Sequence, residues 1–153
     1  MIKRILVGLG GTPFTTVATK IATELGDLHQ AQLTGVTVVD TNKLDKVGPV
    51  PVGGAAYAQR MRERKAQITK EGTEQAIAAF KAHCSQQQVV CRRIEYEQID
   101  PFAAMISEAR YNDLTIFGRR GMFDYGGSSD PDSGIRLVLS PGGRPGVAVG
   151  VRD

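Results

Sequence analysis

The sequence predicts an α/β fold, an open five-stranded parallel sheet with helices on both faces. Apolar runs at residues 5–7, 36–39 and 114–117 have the near-continuous hydrophobicity of strands that are covered on both sides. Amphipathic helical patterns separate these runs, so that strands and helices alternate along the chain. With 153 residues, of which 41% are hydrophobic and 23% charged, the chain is expected to form one domain, 1–153, with a substantial core.

The first strand and helix are predicted close to the N-terminus. Ile5-Leu-Val7 begins the sheet, and the glycine-rich turn Gly8-Leu-Gly-Gly11 follows it. Thr12 is a favourable N-cap, and Pro13 suits the first helical position. Gly26 is the expected end of the helix. The apolar residues of this helix recur at helical spacing and are Val17, Ala18, Ile21, Ala22 and Leu25.

The turn after the first strand has two interpretations. Gly8-x-Gly10 is compatible with a dinucleotide-binding turn, but the full fingerprint needs a third glycine where Pro13 stands. A tight turn is therefore the favoured interpretation. A Walker-type phosphate loop is excluded, because no Gly-Lys-Ser/Thr follows any glycine run.

The middle of the chain is predicted to add two strands and a long helix. Residues 32–39 form a β-branched, mostly apolar strand, and a loop rich in proline and glycine continues to Gly54. The strand at residues 89–97 alternates Val90, Ile94 and Tyr96. Between them a helix is predicted over 55–85, with an inward stripe of Met61, Ile68, Gly72, Ala76, Ala79, Phe80 and His83.

The last third of the chain contains the candidate site. Asp100 and Pro101 begin a short helix, as N-cap and first helical residue, with a buried stripe of Phe102, Ala103, Ile106 and Ala109. The apolar strand 114–117 follows, with Phe117 packed inward, and residues 147–151 form the last strand. A buried parallel strand that ends in a glycine turn is where open α/β sheets hold ligands. The candidate site therefore begins at Gly118.

Composition argues against several classes of function. The net charge is only +3, the basic residues are scattered and aromatic residues make up 6%, which disfavours nucleic-acid binding. His29 and His83 form no set with a nucleophile or metal ligands, so no enzyme is predicted. Cys84 and Cys91 fit no metal spacing and are expected to be free thiols. No apolar run reaches the roughly 20 residues of a membrane span and the N-terminus lacks a signal peptide, so a cytoplasmic protein is expected.

Two separated segments resemble the universal stress protein family, of the UspA type. They are Ile5-Leu-Val-Gly-Leu-Gly-Gly-Thr-Pro13, and Asp100-Pro101 together with Asp113-Leu-Thr-Ile-Phe-Gly-Arg-Arg-Gly121. The resemblance implies an adenine-nucleotide alpha-hydrolase-like fold with strand order 3-2-1-4-5. It also implies a homodimer that forms through the last strand, at Val147, Val149 and Val151. Because many members carry two such domains, the chain is expected to be either a single-domain protein or half of a tandem.

The phosphate loop departs from the pattern of the family's nucleotide-binding members. That pattern is Gly-x2-Gly-x9-Gly-Ser/Thr, and Gly118 and Gly121 match its first half. Pro131-Asp132 stands in place of the final Gly-Ser/Thr. Proline has no N–H to donate, and an aspartate would repel a phosphate. Binding members also carry an aspartate at the end of the first strand, where this chain has Gly10.

The favoured prediction is a non-catalytic, dimeric regulatory or interaction module in the stress response, with weak or no ATP binding and no cofactor. The alternative is a protein that binds ATP or AMP through a rebuilt loop between Gly118 and Gly134, where glycine and serine residues form an anion nest. The resemblance assigns candidate nucleotide contacts by position, which are Gly8, Leu9, Gly10, Val38, Gly118, Arg119, Gly121, Asp132 and Ser133.

Overall fold

A computed structural model describes residues 1–10, 13–40, 50–98, 101–118 and 145–149 of the chain. Strands and helices alternate in it, as the sequence predicts. In chain order they are β1 (Arg4–Gly8), α1 (Pro13–His29), β2 (Gln32–Asp40), α2 (Ala55–Gln86), β3 (Cys91–Gln98), α3 (Pro101–Ala109), β4 (Leu114–Gly118) and β5 (Gly146–Val149).

The sheet has five strands in the order β3-β2-β1-β4-β5, and all of its pairings are parallel. This confirms the predicted fold class and strand order. β1 is central, and its residues Ile5, Leu6 and Val7 are fully buried. The path from β1 to β3 runs in one direction across the sheet, and the path from β3 to β4 runs back. Because such crossovers are right-handed, the reversal places α3 on the face opposite α1 and α2.

Helix α1 begins at Pro13 as predicted, but it continues past Gly26 to His29. The predicted end at Gly26 is therefore wrong. The helix ends at His29 because the next residue, Gln30, adopts φ 51°, and the Ala31 N–H donates to the Gly26 carbonyl oxygen at 2.9 Å. Gly26 packs closely against side chains of the core: a Cβ there would lie 2.9 Å from Val89 Cγ1 and 3.1 Å from Leu33 Cδ2.

The predicted apolar stripe of α1 does face the core. Ala18 and Ala22 are fully buried, and Val17, Ile21 and Leu25 pack against the same cluster. Three threonines are also buried, a feature that the hydrophobic pattern did not predict; they are Thr15, Thr19 and Thr23. The Thr23 hydroxyl hydrogen-bonds to backbone oxygens of its own helix, to Lys20 at 2.9 Å and Thr19 at 3.1 Å. A threonine that bonds within its own helix can be buried without an unsatisfied hydroxyl.

Helix α2 has the predicted extent but only part of the predicted inward stripe. Ala76 and Phe80 are buried, whereas Ala79 is exposed and Ile68 is 58% exposed. A helix of 32 residues is about 48 Å long at 1.5 Å per residue. The strands beneath it have at most nine residues and span no more than about 30 Å. The helix therefore extends beyond the sheet. Most of its buried apolar residues lie near the C-terminal end, at Ala76, Ile77, Phe80 and Cys84, and Ala58 is buried near the start.

The remaining elements agree with the sequence in position more than in detail. Helix α3 begins at Pro101, and Phe117 is 2% exposed, both as predicted. The strand predicted at residues 89–97 is found as β3, Cys91–Gln98. Val90 therefore precedes the strand instead of belonging to it, and it is 67% exposed beside this edge of the sheet. Among the described side chains of α3, Met105 is fully buried, Ala109 is buried and Ile106 is half-buried. The predicted caps Thr12 and Asp100, and the side chains of Phe102, Ala103 and Tyr96, lie outside the described residues.

Candidate functional site

The candidate site lies at the carboxyl ends of β1 and β4. These two strands are neighbours in the sheet. The chain leaves β1 towards β2 on one side and leaves β4 towards β5 on the other. Connections that depart in opposite directions from adjacent strands leave a crevice between them, and open α/β sheets bind their ligands there. Of the predicted contacts, the topology brings Gly8, Leu9, Gly10 and Gly118 to this edge.

Gly118 ends β4 directly beneath the first turn of α1. A Cβ at this position would lie 2.5 Å from Phe14 Cβ, 2.7 Å from the Phe14 carbonyl carbon and 2.9 Å from its oxygen. Because two of these atoms belong to the backbone, no side-chain rotation could make room for a methyl group. The sequence pointed to Gly118 as a turn, and the structure adds that it lets β4 approach the helix N-terminus.

The backbone donors at the end of β1 are already used within the protein. The Leu9 N–H donates to the Val36 carbonyl oxygen at 2.9 Å, and the Gly10 N–H donates to Thr15 Oγ1 at 3.1 Å. Leu9 is only 2% exposed, and its Cδ1 occupies the space beside Gly35. The Leu9 side chain is therefore part of the core, and these two N–H groups have partners before any ligand arrives.

Thr15 is a site residue that the sequence analysis missed. It is 4% exposed, and its hydroxyl oxygen accepts the hydrogen bond from Gly10 across the turn. The signal was present, because a threonine in the first turn after Gly-Gly-Thr-Pro can reach back to the preceding turn. The hydrophobic pattern did not identify Thr15, because a threonine at this position is expected on the polar face of an amphipathic helix.

On β2 the candidate Val38 follows Thr37, whose hydroxyl oxygen is buried without a hydrogen-bond partner. Along a strand, Thr37 shares its face with Gly35, and Gly35 lies against Phe80 of α2. Thr37 therefore lies on the face of the sheet that α2 covers. Val38 lies in β2 as the sequence predicts.

The other predicted contacts lie outside the described residues: Arg119, Gly121, Asp132 and Ser133, together with Pro131 and the glycine–serine segment up to Gly134. The predicted dimer surface is described only in part. Val147 and Val149 belong to β5, an edge strand, and Val147 is 41% exposed. Val151 lies outside the described residues.

The described part of the chain offers little for catalysis at this edge. Both histidines lie in the last turns of their helices, His29 in α1 and His83 in α2. Helices that connect parallel strands run antiparallel to them. His29 and His83 therefore lie near the amino-terminal ends of the strands, whereas Gly118 lies at a carboxyl end. Within the described ranges no three side chains of histidine, cysteine, aspartate or glutamate come together as metal ligands. No described helix is both long and apolar enough to span a membrane.

Comparison with known proteins supplies the family context. A sequence model of the universal stress protein family matches residues 1–127. No curated protein matches the chain significantly. Among solved structures, universal stress protein UspA from Lactobacillus plantarum has a TM-score of 0.64 at 18% identity, with 97% of each chain covered.

Two further similar structures were solved with a nucleotide. A family protein from Arabidopsis thaliana with AMP bound has a TM-score of 0.64 at 12% identity, covering 98% of this chain and 92% of the other. The universal stress protein from Archaeoglobus fulgidus in complex with dAMP has a TM-score of 0.58 at 12% identity, covering 97% of each chain. At these identities the likeness establishes the shared fold.

Proposed function

The chain belongs to the universal stress protein family, and from this premise we propose that it acts as a non-catalytic, dimeric regulatory or interaction domain that works without bound nucleotide. The observation that carries the proposal is at the end of β1. The backbone N–H groups of Leu9 and Gly10, at the carboxyl end of β1, already donate to Val36 and Thr15. A nucleotide would have to displace these hydrogen bonds or find its donors elsewhere.

The sequence of the phosphate loop supports the same proposal. Pro131 lacks the N–H that a glycine would donate, and Asp132 carries a negative charge where a hydroxyl would be expected. Two negative charges about 4 Å apart repel by about 1 kcal/mol in water and by several times more in a crevice. Gly10 removes a third contact, the aspartate at the end of the first strand. Three losses at one site favour a domain whose role does not depend on ATP.

Dimerisation is proposed through β5. This strand is at the sheet edge, it is composed of Gly146-Val-Ala-Val149, and its Val147 is 41% exposed. An apolar edge strand presents unpaired N–H and C=O groups, which a second copy of the same strand can satisfy across a two-fold axis. The proposed regulatory surface is then that of the pair.

A second candidate function is binding of AMP or ATP through a rebuilt loop. It is favoured by Gly118, which is retained and packed against the start of α1, and by the two nucleotide-bound structures of the same fold. The positive end of the α1 dipole also lies at this edge, and it favours an anion there.

Titration calorimetry with ATP and AMP separates the two functions. The proposal expects no saturable heat up to about 1 mM nucleotide, which corresponds to a binding free energy weaker than about 4 kcal/mol. A thermal-shift assay provides a second readout, because ligand at 100 times its dissociation constant stabilises the folded state by about 2.7 kcal/mol. Nucleotide that copurifies with the protein, or a micromolar dissociation constant, would establish the second function in place of the first.

A further inference from the structure

The two cysteines of the chain lie near the amino-terminal ends of the strands, whereas the crevice lies at their carboxyl ends. Cys84 lies in the last turns of α2 and is 1% exposed, and Cys91 is the first residue of β3 and is half-buried. The two thiols lie close enough to interact with each other, and this interaction contributes to the raised pKa of Cys84. They are also the only cysteines in the sequence.

The backbone on both sides holds this pair in place. The Val89 N–H donates to the Cys84 carbonyl oxygen at 2.9 Å, so the chain folds back directly over the cysteine. Gln88 makes the turn with φ 55°. On the other side, the Leu33 N–H donates to the Val90 carbonyl oxygen at 2.9 Å, and Cys91 pairs with Leu33 in the β2–β3 register. These main-chain hydrogen bonds hold the backbone of Cys84 and the backbone of Cys91 on neighbouring elements.

The described surroundings of the pair favour thiol chemistry. Among the described residues no third histidine, cysteine or carboxylate joins the two thiols as a metal ligand. Cys84 belongs to the buried apolar cluster that contains Leu33 and Phe80, and Cys91 packs against that cluster. Two thiols without a metal ligand set can still react with each other, because disulfide exchange and condensation need only contact between the sulfurs.

The two thiols differ in reactivity. Burial raises the pKa of Cys84 to about 12, and its interaction with Cys91 acts in the same direction. Cys84 therefore keeps its proton at neutral pH. Since the thiolate is the nucleophile and access limits oxidation, the half-buried Cys91 is the thiol that an oxidant reaches first.

We propose that Cys84 and Cys91 form a dithiol site that hydrogen peroxide converts to an intramolecular disulfide. The Cys91 thiolate attacks one peroxide oxygen, the O–O bond breaks, and Cys91 becomes a sulfenic acid with release of hydroxide. The released hydroxide takes the Cys84 proton to form one water, and the Cys84 thiolate attacks the sulfenic sulfur. The S–O bond breaks, and the hydroxide that leaves combines with the proton first lost from Cys91 to form the second water. In total, two thiols and one peroxide yield one disulfide and two waters. The product ties the end of α2 to the edge strand β3.

Thiol counting on the folded protein tests the proposal. Reduced protein is treated with about 1 mM hydrogen peroxide, quenched with catalase, denatured, labelled with N-ethylmaleimide and weighed by mass spectrometry. Wild type is expected to lose both labels, to lose about 2 Da relative to the reduced chain, and to recover both labels after a phosphine reductant. A tryptic peptide that joins the segments around Cys84 and Cys91 identifies the bond.

Two serine variants separate the roles of the cysteines. In Cys84→Ser, Cys91 is expected to accumulate as a sulfenic acid that dimedone traps. In Cys91→Ser, Cys84 is expected to keep its label after the same treatment. Persistence of both labels in wild type, addition of oxygen without loss of hydrogen, or a bond between two chains would overturn the proposal. The wild-type result decides it even if a variant fails to fold, and circular dichroism checks the folding of each variant.

Discussion

Gly118 and Gly26 are both buried glycines, but a methyl group would meet different atoms at the two positions. At Gly118 the neighbours are the Cβ, carbonyl carbon and oxygen of Phe14, which move only with helix α1. At Gly26 the neighbours are the ends of the Val89 and Leu33 side chains. Side-chain ends can rotate away, whereas a helix backbone can yield only by displacing everything packed on it. The same substitution therefore has different consequences at the two positions.

Gly118→Ala is expected to destabilise the protein by about 2 kcal/mol or more, in the range of overpacked cores. Gly26→Ala is the matched control and is expected to cost less than about 1 kcal/mol, because alanine regains up to about 1 kcal/mol of helix propensity. Urea unfolding monitored by circular dichroism measures both. Equal losses would show that the contact between β4 and Phe14 is looser than these distances indicate.

Asp113 joins the start of β4 to the start of β1. Its Oδ2 accepts hydrogen bonds from the Lys3 N–H at 2.9 Å and the Arg4 N–H at 3.1 Å, and its own N–H donates to the Arg4 carbonyl oxygen at 2.9 Å. Asp113→Ala is expected to cost about 1–2 kcal/mol, because it leaves two backbone donors without their acceptor. Asp113→Asn keeps an acceptor oxygen and is expected to cost less than half as much in the same unfolding experiment. If both variants lost the same free energy of unfolding, the effect would be assigned to the charge of Asp113 alone.

The buried Cys84 thiol makes stability depend on pH. Its pKa is about 12 in the folded protein and 9.0 for an unperturbed cysteine, so the folded state retains a proton that the unfolded state loses. The contribution of this protonated thiol to the free energy of unfolding is therefore complete below pH 9.0. It is lost as the pH rises towards about 12, by up to about 1.4 kcal/mol per pH unit. Under reducing conditions, wild type is expected to lose about 1–2 kcal/mol more than Cys84→Ala between pH 9 and 10.5. Parallel pH profiles for the two proteins would contradict this expectation.

At the scale of elements, the segment after β4 is where this chain departs from the nucleotide-binding pattern. β4 itself is regular, fully buried and ends on the glycine that the pattern requires. The departure at Pro131-Asp132 is a matter of donors and charge: one backbone N–H is lost and one carboxylate is gained. Both departures are single-residue changes, so two substitutions restore the pattern.

The double change Pro131→Gly and Asp132→Ser restores a backbone donor and a hydroxyl and removes a negative charge. Affinity for ATP is expected to rise at least tenfold, which is about 1.4 kcal/mol. Asp124→Ser serves as the control, since it removes a charge from the same region of the sequence without restoring the pattern. Titration calorimetry that gives equal affinities for all three proteins would show that this loop does not decide binding.

At the scale of the whole molecule, the two edges of the sheet differ. β3 borders one side and consists of charged and polar residues among a few apolar ones, Cys-Arg-Arg-Ile-Glu-Tyr-Glu-Gln. β5 borders the other side with Gly-Val-Ala-Val and carries no charge. Charged side chains on an edge oppose pairing with another chain, and an uncharged apolar edge permits it. The dimer is therefore expected to form through β5.

Val147→Lys is expected to shift the dimer towards monomer, because it places a charge on the exposed face of the paired strand. Val90→Lys is the matched control: the residue is 67% exposed beside the opposite edge, and its change is expected to leave the association unaltered. Sedimentation velocity over a concentration series measures both. A wild-type protein that sediments as a monomer at high micromolar concentration would contradict the proposed dimer.

Much of this architecture is determined by local sequence. The apolar runs around Ile5, Val36 and Ile116 are strands because each has enough β-branched and apolar residues to be covered on both faces. Pro13 and Pro101 begin helices because proline is favoured at the first helical position and excluded from the interior. Such signals act within a few residues, so the fold class and the helix starts were predictable from them. The strand order was predictable only through the family resemblance.

What only the tertiary structure decided is which atoms meet across elements. The sequence shows a glycine at 26 and at 118, but not that one packs on Val89 and the other beneath Phe14. It shows an apolar Ile68 at helical spacing, but not that α2 outruns the sheet and leaves this residue 58% exposed. It shows two cysteines seven residues apart, but not that a turn at Gln88 brings their sulfurs together. Periodicity fixes the direction of a side chain relative to its own backbone, whereas contact depends on where another element ends, and that is set only when the sheet and helices pack.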